Sequence, residues 1–107
     1  MKLVSRIVFL VCLTVVTNTS FAVEYITGKV VLIEATYLPG LITFQLDTGN
    51  TACPAGTWLS WQKPDTENNL AVYSTLLAAL ANGKSINFVI NDGDISCRGQ
   101  FLHILRD

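Results

Sequence analysis

The chain has 107 residues, half of them hydrophobic, with 7 basic and 8 acidic groups and a formal net charge of −1. The lysines and arginines are scattered, which argues against a nucleic-acid-binding protein, because such proteins use a basic stripe to displace counterions. The sequence contains no glycine motif that would cradle phosphates and no dinucleotide fingerprint. These features leave a small domain with no nucleic-acid or nucleotide partner.

Residues 1–22 have the order of a secretory signal peptide. A basic start precedes the apolar run 7–16, and Ser20 and Ala22 are small residues suited to positions −3 and −1 of a cleavage site. A membrane-spanning helix needs about 20 apolar residues, so an anchor is the weaker interpretation. The sequence predicts an exported protein, periplasmic or secreted, without a membrane anchor after cleavage. Its mature part, residues 23–107, is predicted to be one small domain.

Two cysteines, Cys53 and Cys97, remain in that domain, which has five basic and eight acidic groups and therefore a net charge of −3. An even number of cysteines in a small exported chain predicts a disulfide bond. A bond across a loop of this length contributes roughly 4 kcal/mol in the chain-entropy account. A redox pair would need a C-x-x-C motif, which the sequence lacks. One histidine is too few for the usual zinc sites. A structural disulfide is therefore predicted.

The region before residue 62 predicts three strands. The stretch "YITGKVVLIEATY" is rich in β-branched residues, and Gly28 within it indicates a bulge or a sharp bend. The stretch "LITFQLD" alternates, with Ile42, Phe44 and Leu46 on one face, as expected of a half-buried strand. The shorter stretch "TWLSW" predicts a third strand.

A single helix and two further strands follow. Asp65 or Thr66 is suited to cap the helix, and Asn82 with Gly83 predicts its left-handed end. The predicted apolar stripe consists of Leu70, Tyr73, Leu76, Leu77 and Leu80. After it, "KSINFVI" alternates with Ile86, Phe88 and Ile90 inward, and "SCRGQFLHILR" predicts the last strand.

The order β-β-β-α-β-β predicts a mainly β domain, a small OB-fold-like five-stranded barrel in which the helix bridges strands three and four and covers one open end. The alternative is a β-grasp-like α+β sheet, which also brackets one helix with hairpins. Three strands before the helix favour the barrel.

The layout has a resemblance to known proteins. A cysteine shortly before a tryptophan-containing strand, then "YSTLLAALANGKSINFVI", then a cysteine ahead of the last strand, resembles small exported bacterial proteins of uncharacterised function. It is also similar to the pentameric B-subunits of bacterial toxins, which are secreted, disulfide-stapled OB-fold lectins. The resemblance implies a fold and a compartment, and no sugar-binding motif of those toxins matches position by position.

No arrangement of residues indicates catalysis. His103 is the only histidine and alternates with apolar neighbours, and no serine or free thiol lies in a nucleophile motif. Asp92 and Asp94 flank Gly93, but the ligands that complete a calcium loop are missing, so this stretch predicts a turn. The sequence therefore predicts a protein that is not an enzyme and has no metal or cofactor.

A binding or assembly module is the remaining interpretation, with a glycan or an envelope protein as candidate partner. Trp61, Tyr37 and Trp58 are the candidate ligand-binding residues, with Tyr25 as a further aromatic, because aromatic faces stack on sugar rings. The competing interpretation is that both tryptophans shelter the core. A structural envelope protein or a periplasmic inhibitor is the alternative function.

The first and last predicted strands are apolar on both faces, which suggests self-association. A strand with one solvated face should alternate with polar residues. Val31 and Ile33 in the first strand, and Leu102 and Ile104 in the last, are the candidate interface residues. The competing interpretation is that the helix or a loop covers them.

Overall fold

The computed structural model describes residues 22–107, which form one five-stranded sheet and one helix. The elements are β1 (Val23–Glu34), β2 (Ile42–Leu46), β3 (Leu59–Trp61), α1 (Thr66–Asn82), β4 (Ser85–Asn91) and β5 (Gly99–Ile104). The predicted order β-β-β-α-β-β is confirmed. The predicted signal peptide lies outside the described residues, and α1 is not long and apolar enough to span a bilayer.

The sheet has the order β3-β2-β1-β4-β5, and every neighbouring pair is antiparallel. Its two edges come together at one point, where the Ser60 backbone N–H donates to the Cys97 carbonyl at 3.0 Å and Ser60 forms an isolated parallel bridge with Arg98. One bridge does not make a ladder, so within residues 22–107 the sheet is curved but the predicted barrel is not closed.

A bulge in β1 lies two residues beyond the predicted position. Pairing with β4 is regular through Gly28, and the register with β2 shifts between Val30 and Leu32. The extra residue changes which side chains face inward, because one inserted residue interrupts the two-residue alternation of a strand. Val30 is buried and Ile33 packs against the core, whereas Val31 and Leu32 are exposed.

The core lies between the inner face of the sheet and α1. The predicted inward residues Ile42, Phe44 and Leu46 of β2 are buried, as are those of β4. The rings of Phe44 and Phe88 meet edge to face, with centroids 5.1 Å apart, a favourable geometry for an aromatic pair. Phenylalanine contacts therefore join the two halves of the sheet.

The helix begins and ends where the sequence predicts. The Asp65 carboxylate accepts from the backbone N–H groups of Glu67 and Asn68 at 3.0 and 3.3 Å, which satisfies two donors of the first turn. Gly83 has φ 62° and ψ 32°, and its N–H donates to the Ala79 carbonyl. This left-handed end suits glycine, because a Cβ is disfavoured there.

The apolar stripe predicted for α1 is wrong, because three of its five residues face solvent. Leu76 and Ala79 are buried and Tyr73 is half-buried, but Leu70, Leu77 and Leu80 are exposed. The helix has apolar residues on more than one side, so the leucine spacing did not distinguish the inner face. Asn69, the one buried polar residue in the described part, marks that face instead.

Candidate functional site

A groove of about 730 Å³ runs between β5 and the segment that leads from β3 into α1. The segment supplies one wall, β5 the other, and α1 contributes its first two turns. The lining residues are Trp61, Lys63, Pro64, Asp65, Asn68, Val72, Gln100, Phe101, Leu102 and His103. Four of them are consecutive residues of β5, so the groove follows the edge of the sheet.

The floor of the groove is apolar, and an exposed aromatic side chain lies on its rim. Val72 and Leu102 are half-buried and pack against the core, while 57% of Phe101 is exposed. At the inner end Gly99 lies under Trp61, because a Cβ at residue 99 would come within 2.6 Å of the indole ring and within 2.5 Å of the ring of Phe88. The lack of a side chain at residue 99 therefore lets Trp61 approach the start of β5.

Polar contacts fix the wall opposite β5. The Trp61 indole N–H donates to the Asn68 side-chain oxygen at 3.0 Å. The Lys63 ammonium donates to the Gly99 carbonyl at 3.1 Å and lies 4.7 Å from the Trp61 ring centroid, within the range of a cation–π interaction. Lys63 thus joins the two walls at the inner end of the groove and covers Trp61.

Asn69 holds this wall in place from behind. Its side-chain oxygen accepts from the Lys63 backbone N–H at 3.0 Å. Its side-chain amide donates to the carbonyls of Lys63 and Pro39 at 3.0 and 2.8 Å. The side chain is fully buried, and its hydrogen bonds join the segment before α1 to the turn before β2. This role has no sequence signal beyond an asparagine early in a helix.

The turn that Asn69 contacts is formed by residues 37–40. The Gly40 N–H donates to the Tyr37 carbonyl at 3.0 Å, so Leu38 and Pro39 are the central residues, and the peptide bond between them is cis. This is a type VI turn rather than the type II turn that proline followed by glycine predicts. The Pro39 carbonyl of this turn accepts the hydrogen bond from the Asn69 side-chain amide.

The predicted disulfide between Cys53 and Cys97 is confirmed, with a Cα–Cα distance of 5.9 Å. Both cysteines are buried. Because the Cys97 carbonyl accepts the Ser60 N–H that starts the β3–β5 bridge, the disulfide lies beside the only backbone contact described between these strands. It therefore fixes the closed end of the groove.

The predicted turn at Asp92 to Asp94 is confirmed, since the Asp94 N–H donates to the Asn91 carbonyl at 3.0 Å, and the Asp94 side chain orders the next turn, before Cys97. The Asp94 carboxylate accepts from the backbone N–H and the hydroxyl of Ser96 and from the Arg98 N–H. The hydrogen bond from the Ser96 hydroxyl is the main reason that the pKa of Asp94 lies below its ordinary value of 3.8. This aspartate stabilises the turn and does not line the groove.

The three aromatic residues proposed for ligand binding do not form one site. Trp61 is only 5% exposed, so the prediction that it offers an open stacking face is wrong, because its ring packs in the core. Trp58 and Tyr37 are exposed, but neither lines the groove. Phe101, which the sequence did not mark as a ligand-binding residue, is the exposed aromatic of the groove.

The four proposed interface residues divide into two pairs. Val31 and Ile104 are exposed, as self-association requires, but Ile33 and Leu102 pack against the core. The assignment of Ile33 to the outer face is wrong because of the β1 bulge. Leu102 lies on the inner face of β5, opposite Phe88.

On the outer face of the sheet, Val89 lies in register with Tyr25 on one side and Phe101 on the other. Val89 is 1% exposed, whereas both aromatic residues are 57% exposed. The neighbours of Val89 in β4, Phe88 and Ile90, belong to the core, so Val89 must point to the opposite face. Its burial indicates that the flanking aromatic side chains shield it.

The groups of the groove are suited to binding. Its polar side chains are donors and acceptors on a largely apolar surface, and the Asp65 carboxylate is engaged in capping α1. The described residues bring together no three histidine, cysteine or acidic side chains in a metal-binding arrangement. Comparisons with protein-family models, with curated proteins and with solved structures found no match to this chain. The function is therefore inferred from the groups of the site.

Proposed function

We propose that the chain is an exported, disulfide-stapled and non-catalytic binding module, an OB-like domain with an incompletely closed sheet, that holds a protein partner in the groove beside β5. The observation that carries this proposal is the groove itself: it combines the exposed aromatic ring of Phe101 with the apolar pair Val72 and Leu102 and with polar groups at its rim. Exposed aromatic anchors beside apolar pockets are typical of protein-binding surfaces.

The disulfide supports the exported compartment, because such bonds persist where the environment is oxidising. The order of residues 1–22 supports it independently. The OB-like assignment is supported by the helix between β3 and β4 and by the parallel bridge at which β3 meets the start of β5. The likeness to toxin B-subunits depends on this layout alone.

A peptide library tests the proposal without knowledge of the natural partner. Peptides selected from a random dodecamer phage library against the oxidised protein are resynthesised and titrated by calorimetry. We expect Phe101→Ser to raise Kd at least tenfold, which corresponds to about 1.4 kcal/mol for one lost aromatic anchor. Ile95→Ser is the matched control, since Ile95 is 82% exposed and does not line the groove. Equal affinities of both variants would contradict the proposal.

A glycan-binding module is the second candidate, because Trp58 and Tyr37 are 48% and 61% exposed. A glycan array probed with the intact protein and with Trp58→Ser tests it. Binding that depends on Trp58 and is indifferent to Phe101→Ser would favour this function over the first.

An assembly role is the third candidate, and exposed apolar side chains on both β1 and α1 support it. Val31, Leu70 and Leu77 are each about half exposed, and monomers rarely expose large contiguous apolar patches. Light scattering at tens of micromolar distinguishes a monomer from an oligomer. If an oligomer appears, Ile104→Lys should dissociate it, whereas Ile33→Lys should unfold the subunit because Ile33 packs against the core.

A further inference from the structure

We propose that the occupant of the groove is an extended polypeptide segment that pairs with the free edge of β5 as a sixth strand of the sheet. This inference rests on the proposed function, since it names the class of partner that the same groove receives. It is carried by the backbone of β5 and by the shape of the wall that faces it.

The hydrogen bonds to β4 show which backbone groups of β5 are unpaired. The Leu105 N–H donates to the Ser85 carbonyl at 2.8 Å, which makes these two residues a hydrogen-bonded pair of the antiparallel ladder. Hydrogen-bonded pairs alternate with non-hydrogen-bonded pairs along such a ladder. His103 and Phe101 therefore direct their N–H and C=O groups toward β4.

The intervening residues Leu102 and Ile104 direct theirs the other way, toward the outer edge of the sheet, along which Leu102 lines the groove. They lie opposite Phe88 and Ile86 in non-hydrogen-bonded pairs. The ladder between β4 and β1 leads to the same result. The Asp92 N–H donates to the Ala22 carbonyl, so residues 22 and 92 are a hydrogen-bonded pair. By the same alternation Phe88 and Ile86 form their hydrogen bonds with β1 rather than with β5. The two ladders thus give one consistent assignment.

No backbone hydrogen bond from the described residues reaches this edge of β5 beyond its first residues. The Gly99 carbonyl is occupied by Lys63, and the bridge to β3 involves Arg98. An unpaired row of backbone groups is a template for another chain, and natural proteins usually protect it with lysine, proline or a covering element. The β5 stretch "GQFLHI" has neither lysine nor proline.

The groove suits a single extended chain better than a folded surface. A paired strand lies about 4.8 Å from its neighbour, so a segment bonded to Leu102 and Ile104 would lie between β5 and the opposite wall formed by Lys63 and Pro64. Its successive side chains would point alternately toward Val72 on the floor and toward Phe101 on the rim. We therefore expect the partner to have apolar residues at every second position, a mode of recognition known as strand addition.

Hydrogen exchange measured by NMR on the oxidised protein, with one of the selected dodecamer peptides as the probe, tests the pairing. We expect saturation with peptide to slow the exchange of the Leu102 and Ile104 amides at least tenfold, while those of Phe101 and His103 change little. Two peptide variants, one methylated at the odd-numbered and one at the even-numbered backbone nitrogens, provide a second readout. Only alternate N–H groups of a paired strand face β5, so one variant should bind at least tenfold more weakly and the other should lose much less affinity.

A proline variant provides an independent test. Ile104→Pro removes an N–H that does not pair with β4, so it should retain the fold and lose peptide affinity at least tenfold. His103→Pro is the contrasting control, since it removes a donor of the β4 ladder and should destabilise the protein. If Ile104→Pro does not fold, the methylated peptides decide the question.

Three results would overturn the inference. A groove-bound peptide that leaves both amides unprotected and tolerates methylation in either register would exclude strand addition but leave the proposed function intact. No peptide with Kd below about 1 mM, a free energy of about −4.1 kcal/mol, would contradict both proposals. Protection of Leu102 and Ile104 that rises with protein concentration alone would show that a second copy occupies the edge.

Discussion

The two edge strands of the sheet, β3 and β5, differ in how their free backbone groups are protected. β3 has three residues, and the N–H of its central residue, Ser60, is bonded to Cys97 beside the disulfide. β5 has six residues, and beyond the bridge at Arg98 its outer edge faces an open groove.

The difference shows how a small sheet can leave one edge available without exposing both. A short, pinned strand presents little template for unwanted pairing, whereas a longer apolar strand presents a long one. In this protein the disulfide, Asn69 and Lys63 all stabilise the β3 side. They give the β5 edge a fixed wall opposite it, and that wall restricts what can bind.

The largest expected effect is the loss of the disulfide. Replacing Cys53 and Cys97 together with serine should lower the free energy of unfolding by up to about 4 kcal/mol, because the unfolded chain regains the entropy of an open loop. Urea melts of the oxidised protein and the double variant measure this. The Ser60 amide should also lose its protection from exchange. A stable double variant with Ser60 still protected would contradict the role given to the disulfide.

Asn69→Ala should lower the free energy of unfolding by about 2–3 kcal/mol, since it removes a fully buried side chain together with its hydrogen bonds to Lys63 and Pro39. Asn82→Ala is the control, because Asn82 is exposed and its side-chain amide bonds only to a helix carbonyl. Chemical denaturation compares the two. Equal effects would show that the wall does not depend on Asn69.

Gly83→Val should cost about 1 kcal/mol or more, because a β-branched residue is strained at a left-handed helix end. Gly40→Ala provides a control at a glycine without a positive φ, where an added Cβ meets only an ordinary contact at 3.5 Å. Residue 83 lies in neither edge strand, so Gly83→Val should not alter peptide binding in the groove. An unchanged denaturation midpoint would contradict the assigned helix end.

The smallest expected effect concerns pH. The pKa of Asp94 is lowered in the fold, chiefly by the Ser96 hydroxyl, so its ionised form stabilises the protein above the ordinary value of 3.8. That contribution is lost as the pH falls through the lowered pKa. Asp94→Asn should therefore be less stable than the parent at pH 7, and the difference between their unfolding free energies should shrink as the pH falls below 3.8. A difference that does not change with pH would contradict this account.

Much of the fold could be predicted from the sequence. Alternation identified the inward residues of β2 and β4, and the cap and stop residues Asp65 and Gly83 identified the ends of α1. These features depend on local periodicity and backbone chemistry. The disulfide was equally accessible, since two cysteines allow one pairing.

The features that failed depend on tertiary contacts. The β1 bulge reverses the facing of Leu32 and Ile33 without a marker at the bulge itself. Leucines on several sides of α1 concealed its inner face, which only the contacts of Asn69 and Leu76 define. The groove escaped prediction because it is formed by Phe101 and Lys63, which are far apart in sequence and ordinary in their local patterns.

The central claim is that the outer edge of β5 is unpaired in the free protein, and amide hydrogen exchange of the isolated, oxidised chain at low concentration tests it most directly. We predict slow exchange for the amides of Phe101 and His103, which pair with β4, and exchange at least tenfold faster for those of Leu102 and Ile104. Equal protection of all four amides in a monomer would contradict the account, because it would mean that this edge is already covered by the chain itself.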